Sequence, residues 1–349
     1  MTGIPCHLVF DSKDLKIINV VGNSFCRSQL HAAEWGANVV WLLTPWWSLL
    51  KDRKTVSMIA GLAAALPERQ RVCVLTNEPA ETELLAAIPK VTAAYVNHNA
   101  FVSPRIFDVS PTEKAYDAVV NARPLKFKRV HLCAKVERLC CVRLLGGEDY
   151  RGDPDFFDAE ALRPSFINHK TLRPREVAEL LNRSWCGVIL SECEGACYAS
   201  TEYLYCGLPV VSTRSVGGRH VWYDEHNSVI VEPSGEAVVE AVAALKRKLL
   251  EGSLSPQRIR GDALKLRDRF IERVKDVLGL YFAEFGLGRT VSPDAVVRRW
   301  LAEIDLWGPQ FKYFKNEQEA YRYLNAGNLW FWREVVRNAR AGQGTHAET

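Results

Sequence analysis

From Leu15 onward the chain alternates apolar runs with stretches of helical periodicity. "KIINVVG" (16–22) and "ANVVWLL" (37–43) read as buried strands, and "TVSMIAGLAAAL" (55–66) reads as a helix stopped by a proline. The same order returns in a strand "RVCVLT" (71–76), a helix opening in "NEPAETELLAAI" (77–88) and a strand "TAAYVNHN" (92–99). Strands alternating with helices predict a parallel sheet covered on both faces.

Between Ala100 and Lys114 the periodicity breaks at "FVSPRIFDVSPTEK", where two prolines mark a linker. A second alternation follows. "AYDAVVNA" (115–122) reads as a strand, "FKRVHLCAKVERL" (127–139) as a helix and "CCVRLLGG" (140–147) as a strand. After an irregular loop comes the short strand "SFINH" (165–169), then "LRPREVAELLNRS" with an apolar helical stripe of Val177, Leu180 and Leu181. "CGVILSE" (186–192) reads as a strand, 198–206 as a helix with Gly207 at its C-cap, and "PVVST" and "SVIVEP" as strands. The helix "EAVVEAVAALKRKLL" carries cations at its C-terminal end, as the helix dipole prefers. The predicted fold class is α/β: two Rossmann-like domains facing a cleft, over residues 1–105 and 106–260, followed by a helical tail over 261–349. The tail is dense in aromatic residues. Trp307, Phe311, Phe314, Trp330 and Trp332 either pack it across both domains or offer a surface to an amphipathic acceptor or membrane.

Composition narrows the class. The 349 residues, 48% of them hydrophobic, suffice for two ordinary cores. Forty-five basic against 41 acidic residues leave a charge of +4 without a basic run, which argues against a nucleic-acid partner. The ten cysteines lie mostly inside apolar runs, without CxxC or Cys/His zinc spacing, and point to a reducing, cytoplasmic setting. The N-terminus lacks the charged and apolar regions of a signal peptide, and no apolar run approaches the roughly 18 residues of a membrane span.

"SECEGACYASTEYLYCGLPVVST" (191–213) sets Glu194 and Glu202 eight positions apart between two strands. Glu194 falls in the loop before the predicted helix and Glu202 inside it. Between them lie the backbone N–H groups of Gly195, Ala196, Cys197 and Tyr198, which favour an anion at the helix start. A ligand with a hydroxyl-bearing ring, a diphosphate and a second hydroxyl-bearing ring matches that order, and a nucleotide sugar has this form. Glu194 would then accept from the sugar, Glu202 from the ribose, and the diphosphate would lie over the helix start. "NARPLKFKR" supplies cations in Arg123 and Lys128, five positions apart, flanked by Lys126 and Arg129.

The segment from Tyr116 to about Leu250 resembles the donor-binding domain of the retaining family 4 glycosyltransferases of the GT-B fold. The resemblance rests on Arg123 and Lys128 at the family's five-residue offset, and on Ser191, Glu194, Gly195 and Glu202 ahead of Gly207 and Pro209. Gly217 and Gly218 follow in the next loop. It implies transfer of a sugar from a nucleoside diphosphate with retention at the anomeric carbon and no metal. Arg123 and Lys128 would stabilise the leaving diphosphate. The chain departs from the family at Ala196 and Cys197, where an aromatic residue and a second glycine are usual. Its N-terminal half is short, with the first glycine-rich loop reduced to "VVGNS".

Other residues carry two readings each. Gly22 is a turn glycine or a ligand contact. His98 ends the last N-terminal strand and faces either the cleft or an interdomain hydrogen bond. His169 and Leu172 stand where the base should sit, or in a plain loop. Trp46 and Trp47 stack on an acceptor sugar or pack in the core. Asp153 and Asp155 form a DxD that is either a surface turn or a metal site. The expected function is a metal-independent, retaining hexosyl transfer from a nucleotide sugar to a glycan, lipid-linked or protein acceptor, with no cofactor. Peripheral contact with the inner face of a membrane stays open because many such acceptors are lipid-linked. A DxD metal-dependent transferase, a sugar-nucleotide epimerase or hydrolase, and a non-catalytic nucleotide-sugar-binding or assembly subunit are the alternatives.

Overall fold

Alternation along the first strands decides what covers each side of the N-terminal sheet. The computed structural model describes residues 4–21, 38–142, 155–168, 172–307 and 313–314. β1 (Ile4–Asp11) turns back into β2 (Leu15–Val21) as an antiparallel pair, an element that a reading begun at Leu15 overlooked. β3 (Asn38–Thr44), β4 (Gln70–Thr76) and β5 (Val91–Tyr95) add in sequence order, each parallel to the last. α1 (Arg53–Ala65) and α2 (Pro79–Ala86) cross between them. Asp52 caps α1 by accepting from the Thr55 amide at 2.9 Å.

Odd and even positions face opposite sides. Ile18, Val20, Trp41, Leu43, Val72 and Val74 pack with Ile59 and Leu62 of α1 and Leu85 of α2. Ile17, Val40, Leu42, Cys73 and Leu75 point the other way and join the largest apolar cluster. Strands added in one direction through right-handed crossovers place α1 and α2 on one face, so the other face needs a cover from elsewhere.

The second sheet holds β6 (Tyr116–Val120), β7 (Leu139–Cys141), β8 (Phe166–Ile167), β9 (Ser184–Ile189), β10 (Val210–Thr213) and β11 (Ser228–Val231). Its order is β11-β10-β9-β6-β7-β8, all parallel. α3 (Pro174–Asn182), α4 (Tyr198–Tyr205) and α5 (Gly235–Leu250) belong to this unit. The strand order reverses between β6 and β9, and that reversal is where doubly wound sheets open a crevice at their carboxyl ends.

Two long helices supply the missing cover. α6 (Pro256–Glu284) brings Phe270, Val274, Leu278 and Phe282, and α7 (Pro293–Trp307) brings Val297 and Trp300, into the same cluster as the uncovered face of the first sheet. Burying a side chain of this size contributes roughly 1.5–3 kcal/mol. β12 (Tyr313–Phe314) then pairs antiparallel with β1. Of the tail aromatics, Phe311, Trp330 and Trp332 lie outside the described residues.

The helix read over 127–139 is corrected. Two 3-10 turns, Lys126–Lys128 and Val130–Cys133, stand there instead, separated by Arg129 in the left-handed region at φ 51°. Val130, Cys133, Val136 and Leu139 are the buried residues of this stretch, and a spacing of three suits 3-10 geometry rather than the 3.6 of an α-helix. The strand read over 140–147 is described only as β7, with 143–154 outside the described residues.

The connection between the sheets is held down. Arg260 donates to the carbonyls of Pro104, Phe107 and Tyr205, Arg267 to that of Ala100, and Arg273 to that of Tyr95. Eight described cysteines are free thiols, and no described helix is long and apolar enough to cross a membrane.

Candidate functional site

The loops after β6 and β9 meet at the strand-order reversal. Lys128, in the first 3-10 turn, forms an ion pair with Oε1 of Glu194. The Glu194 loop is strapped to the loop after β10: the Glu194 amide donates to the Val216 carbonyl at 3.0 Å, and the Val216 amide to the Glu192 carbonyl at 3.0 Å. Gly217 follows at φ 112°, and a Cβ there would lie 1.7 Å from the Glu194 carbonyl oxygen, so only glycine closes this strap.

Behind Glu194 stands a fully buried arginine. Arg219 donates to the Ser191 hydroxyl and, at 2.8 Å, to the Thr213 carbonyl; Ser191 in turn donates to Glu194 Oε1 at 2.7 Å. Charge therefore alternates along Arg219, Glu194 and Lys128, with the Ser191 hydroxyl as relay. Lys128, Ser191 and Glu194 border an open pocket that Asn121 and Cys197 also line, among apolar strand-end residues.

α4 begins at the rim of this pocket. Its N-cap is Cys197, in the left-handed region at φ 65°, a conformation that favours glycine. Burial, aided by the Glu194 carboxylate, pushes its thiol up to about 12, so it is neutral at ordinary pH. One turn on, Glu202 Oε2 accepts from Asn121 Nδ2 at 2.8 Å, while the Asn121 amide donates to the Tyr203 hydroxyl at 2.7 Å. The ribose-side carboxylate of the sequence reading is thus anchored to the loop after β6.

The N-terminal domain closes directly on this loop. A Cβ on Gly195 would lie 2.3 Å from the Trp46 carbonyl oxygen. The Trp47 ring meets Phe127 edge-on at 5.4 Å, and Phe127 lies 5.0 Å beneath Lys128 Nζ. Asn97 donates to the carbonyls of Asn77 and Gly218, both at 2.9 Å, and accepts from Trp222 Nε1 at 2.9 Å. Asn99 donates to the carbonyls of Ala196 at 2.9 Å and Cys197 at 3.1 Å. The ring of His98 sits 5.0 Å from that of Tyr198 and bonds the Pro45 carbonyl; burial lowers its pKa to about 3.

Of the residues read from the sequence, Lys128, Ser191, Glu194 and Cys197 line one pocket, Gly195 and Ala196 sit against the opposite domain, and Tyr198 meets His98. Arg123 is exposed in the loop after β6. Leu172 packs at the edge of the largest apolar cluster just before α3. Gly22, His169 and Asp153 lie outside the described residues, and Asp155 is exposed in a turn. Among the described residues no three His, Cys, Asp or Glu side chains group as a metal site needs.

Arg219, Asn121, Asn97 and Asn99 were overlooked. Asn97 and Asn99 carried a signal: "NHN" follows an apolar strand at its carboxyl end, where such sheets bind ligands, and Asn121 stands likewise just after β6. Arg219 carried none, since a lone arginine in a loop reads as a surface residue.

Comparison with known proteins agrees with this geometry. Residues 157–276 match the family described as glycosyl transferases group 1, about a third of the chain. No curated protein sequence matches significantly. Among solved structures, sucrose-phosphate synthase from Thermosynechococcus elongatus is 16% identical with a TM-score of 0.52, covering 82% of this chain and 74% of its own. Anabaena HepE in complex with UDP is 13% identical with a TM-score of 0.51, covering 71% and 72%. TarM is 15% identical with a TM-score of 0.47, covering 82% of this chain, which spans only 54% of TarM. The fold is that of the GT-B glycosyltransferases: two Rossmann-like sheets, with a group 1 glycosyltransferase match in the second half.

Proposed function

We propose that the protein transfers a hexosyl group from a nucleoside diphosphate sugar to an acceptor hydroxyl with retention of anomeric configuration and without a metal, as a family 4 enzyme. The observation that carries this reading is the convergence of Lys128, Ser191, Glu194 and the start of α4 on one pocket at the strand-order reversal. The donor's diphosphate lies over the α4 N-terminus, where backbone N–H groups and the helix dipole favour an anion. Glu194, oriented by Ser191, accepts from hydroxyls of the transferred sugar. Glu202, held by Asn121, accepts from the ribose.

In the reaction the bond from the anomeric carbon to the β-phosphate oxygen breaks and its electron pair stays with the diphosphate. Lys128, joined by Arg123, stabilises that growing charge. The acceptor oxygen attacks the same sugar face that the phosphate leaves, and its proton passes to a phosphate oxygen. Before donor binds, Glu194 neutralises Lys128; the diphosphate then takes over the lysine while sugar hydroxyls take over the glutamate.

The test is a calorimetric screen of UDP, GDP, ADP and TDP and their hexose conjugates, with and without EDTA. UDP comes first because it occupies the GT-B neighbour HepE. Chelator-insensitive binding of one nucleotide, weakened in Glu202→Ala, and a product of the donor's own anomeric configuration by NMR are expected. Binding that requires a divalent cation, or an inverted product, sinks the corresponding part of the reading.

A further inference from the structure

The donor loop is shaped from the opposite domain. Asn99, fully buried in the turn after β5, reaches across to the loop between Glu194 and α4 and places Nδ2 2.9 Å from the Ala196 carbonyl and 3.1 Å from the Cys197 carbonyl. Both partners are carbonyl oxygens, which only accept, so the amide nitrogen must face them. Its Oδ1 is left buried without a hydrogen-bond partner. A buried acceptor left unmet is unfavourable; the side chain holds this pose through the grip on the two carbonyls.

Those two carbonyls fix more than themselves. In a trans peptide the N–H of the following residue points opposite to the C=O. Holding the carbonyls of Ala196 and Cys197 toward Asn99 therefore turns the N–H groups of Cys197 and Tyr198 away from it. Cys197 meanwhile keeps the left-handed φ of 65°, unfavourable for a residue with a Cβ, so the conformation needs an outside hold. Asn97 braces the same arrangement: its Oδ1 accepts from the Asn99 amide at 3.1 Å, its Nδ2 grips the Gly218 carbonyl, and the Gly218 amide donates to the Gly195 carbonyl at 2.7 Å.

We infer that Asn99 is a positioning residue for the donor: from the N-terminal domain it orients the Cys197 and Tyr198 amides toward the diphosphate, so that the anion cradle is complete only while the two domains are closed. The inference rests on the glycosyltransferase reading above. It places the stabilisation of a strained loop, which a second glycine would otherwise make easy, in a side chain of the other domain.

The test compares a nucleoside diphosphate with its parent nucleoside on the full chain. The diphosphate is whichever of UDP, GDP, ADP and TDP the wild type binds. Asn99→Asp keeps the shape and removes the N–H donors; Asn99→Ser keeps one hydroxyl donor and decides the matter if the aspartate variant does not fold. The dissociation constant of the diphosphate should rise by about tenfold or more in Asn99→Asp and by a smaller factor in Asn99→Ser. That of the nucleoside, measured by saturation-transfer NMR, should change by less than about twofold. A merely structural role would weaken both ligands alike, and that result, or wild-type affinity for the diphosphate in folded variants, overturns the assignment. A wild-type chain that binds none of the four diphosphates overturns the glycosyltransferase reading as well, whereas wild-type binding with unaffected variants overturns only the role of Asn99.

Discussion

Lys128 and Glu194, 66 positions apart in the chain, form an ion pair with only 15% and 9% of their side chains exposed. Each is the other's partner in the closed molecule, so a donor must exchange that pair for its own phosphate and hydroxyls. Lys128→Ala is expected to lower kcat by about 10²–10³-fold, the usual cost of removing one group that stabilises developing negative charge. The nucleotide dissociation constant should move far less. Steady-state kinetics with calorimetry checks this, and an unchanged kcat would remove Lys128 from the leaving-group role.

Arg219 is the buried support behind that pair. Replacing it with methionine keeps much of the volume but removes the hydrogen bonds that the guanidinium donates to the Ser191 hydroxyl and the Thr213 carbonyl. The expected loss is about 2–4 kcal/mol in urea unfolding, together with weaker donor binding because Glu194 loses its orientation. Stability within about 0.5 kcal/mol of wild type would show that the arginine is not holding the loop.

Arg260 ties α6 to the interdomain connection through the carbonyls of Pro104, Phe107 and Tyr205. Arg260→Ala should cost about 2–3 kcal/mol and speed proteolysis within residues 103–114. Arg260→Lys should recover only part, since an ammonium cannot fork between several carbonyls as a guanidinium does. Equal proteolysis rates in the three proteins would argue that the apolar contacts of α6 alone secure the connection.

His98 stays neutral in the folded chain down to about pH 3 because burial disfavours its cation, whereas in the unfolded chain it takes a proton below about 6.5. Its contribution is therefore complete above pH 6.5 and is lost as pH falls toward 3, at about 1.4 kcal/mol per pH unit. Relative to His98→Gln, the wild type should lose about 2 kcal/mol between pH 7 and pH 5. Glu81, which burial raises to about 7, acts in the opposite sense but is common to both proteins and cancels in the difference. Parallel stability curves would mean that His98 accepts a proton without unfolding.

Gly195→Ala would drive a Cβ to 2.3 Å from the Trp46 carbonyl oxygen, against backbone that cannot rotate away. The domains should separate locally, seen as a larger radius of gyration in solution scattering and as weaker nucleotide binding. An unchanged radius with full binding would show that the loop shifts within its own domain.

Much of this was legible in the chain because it depends on local order. Alternating apolar runs and helical stripes mark the two α/β units, since strand and helix periods follow from backbone geometry. Glu194, Glu202, Ser191 and Lys128 stood out because their spacing around a strand end and a helix start is itself local. The stretch 127–139 differs from the helix its apolar spacing suggests because a spacing of three resembles helical periodicity, while the left-handed Arg129 divides the stretch into two 3-10 turns.

What the chain alone determined is which residues lie at the carboxyl ends of its strands, because strand, turn and helix start are set within a few positions of one another. Only the tertiary structure decided which of those ends meet. Arg219 became a buried support, Asn97 and Asn99 became clasps across the cleft, and α6 and α7 became the missing cover of the first sheet. Each of these pairs groups far apart in sequence, and such a contact depends on the docking of whole elements rather than on any local pattern.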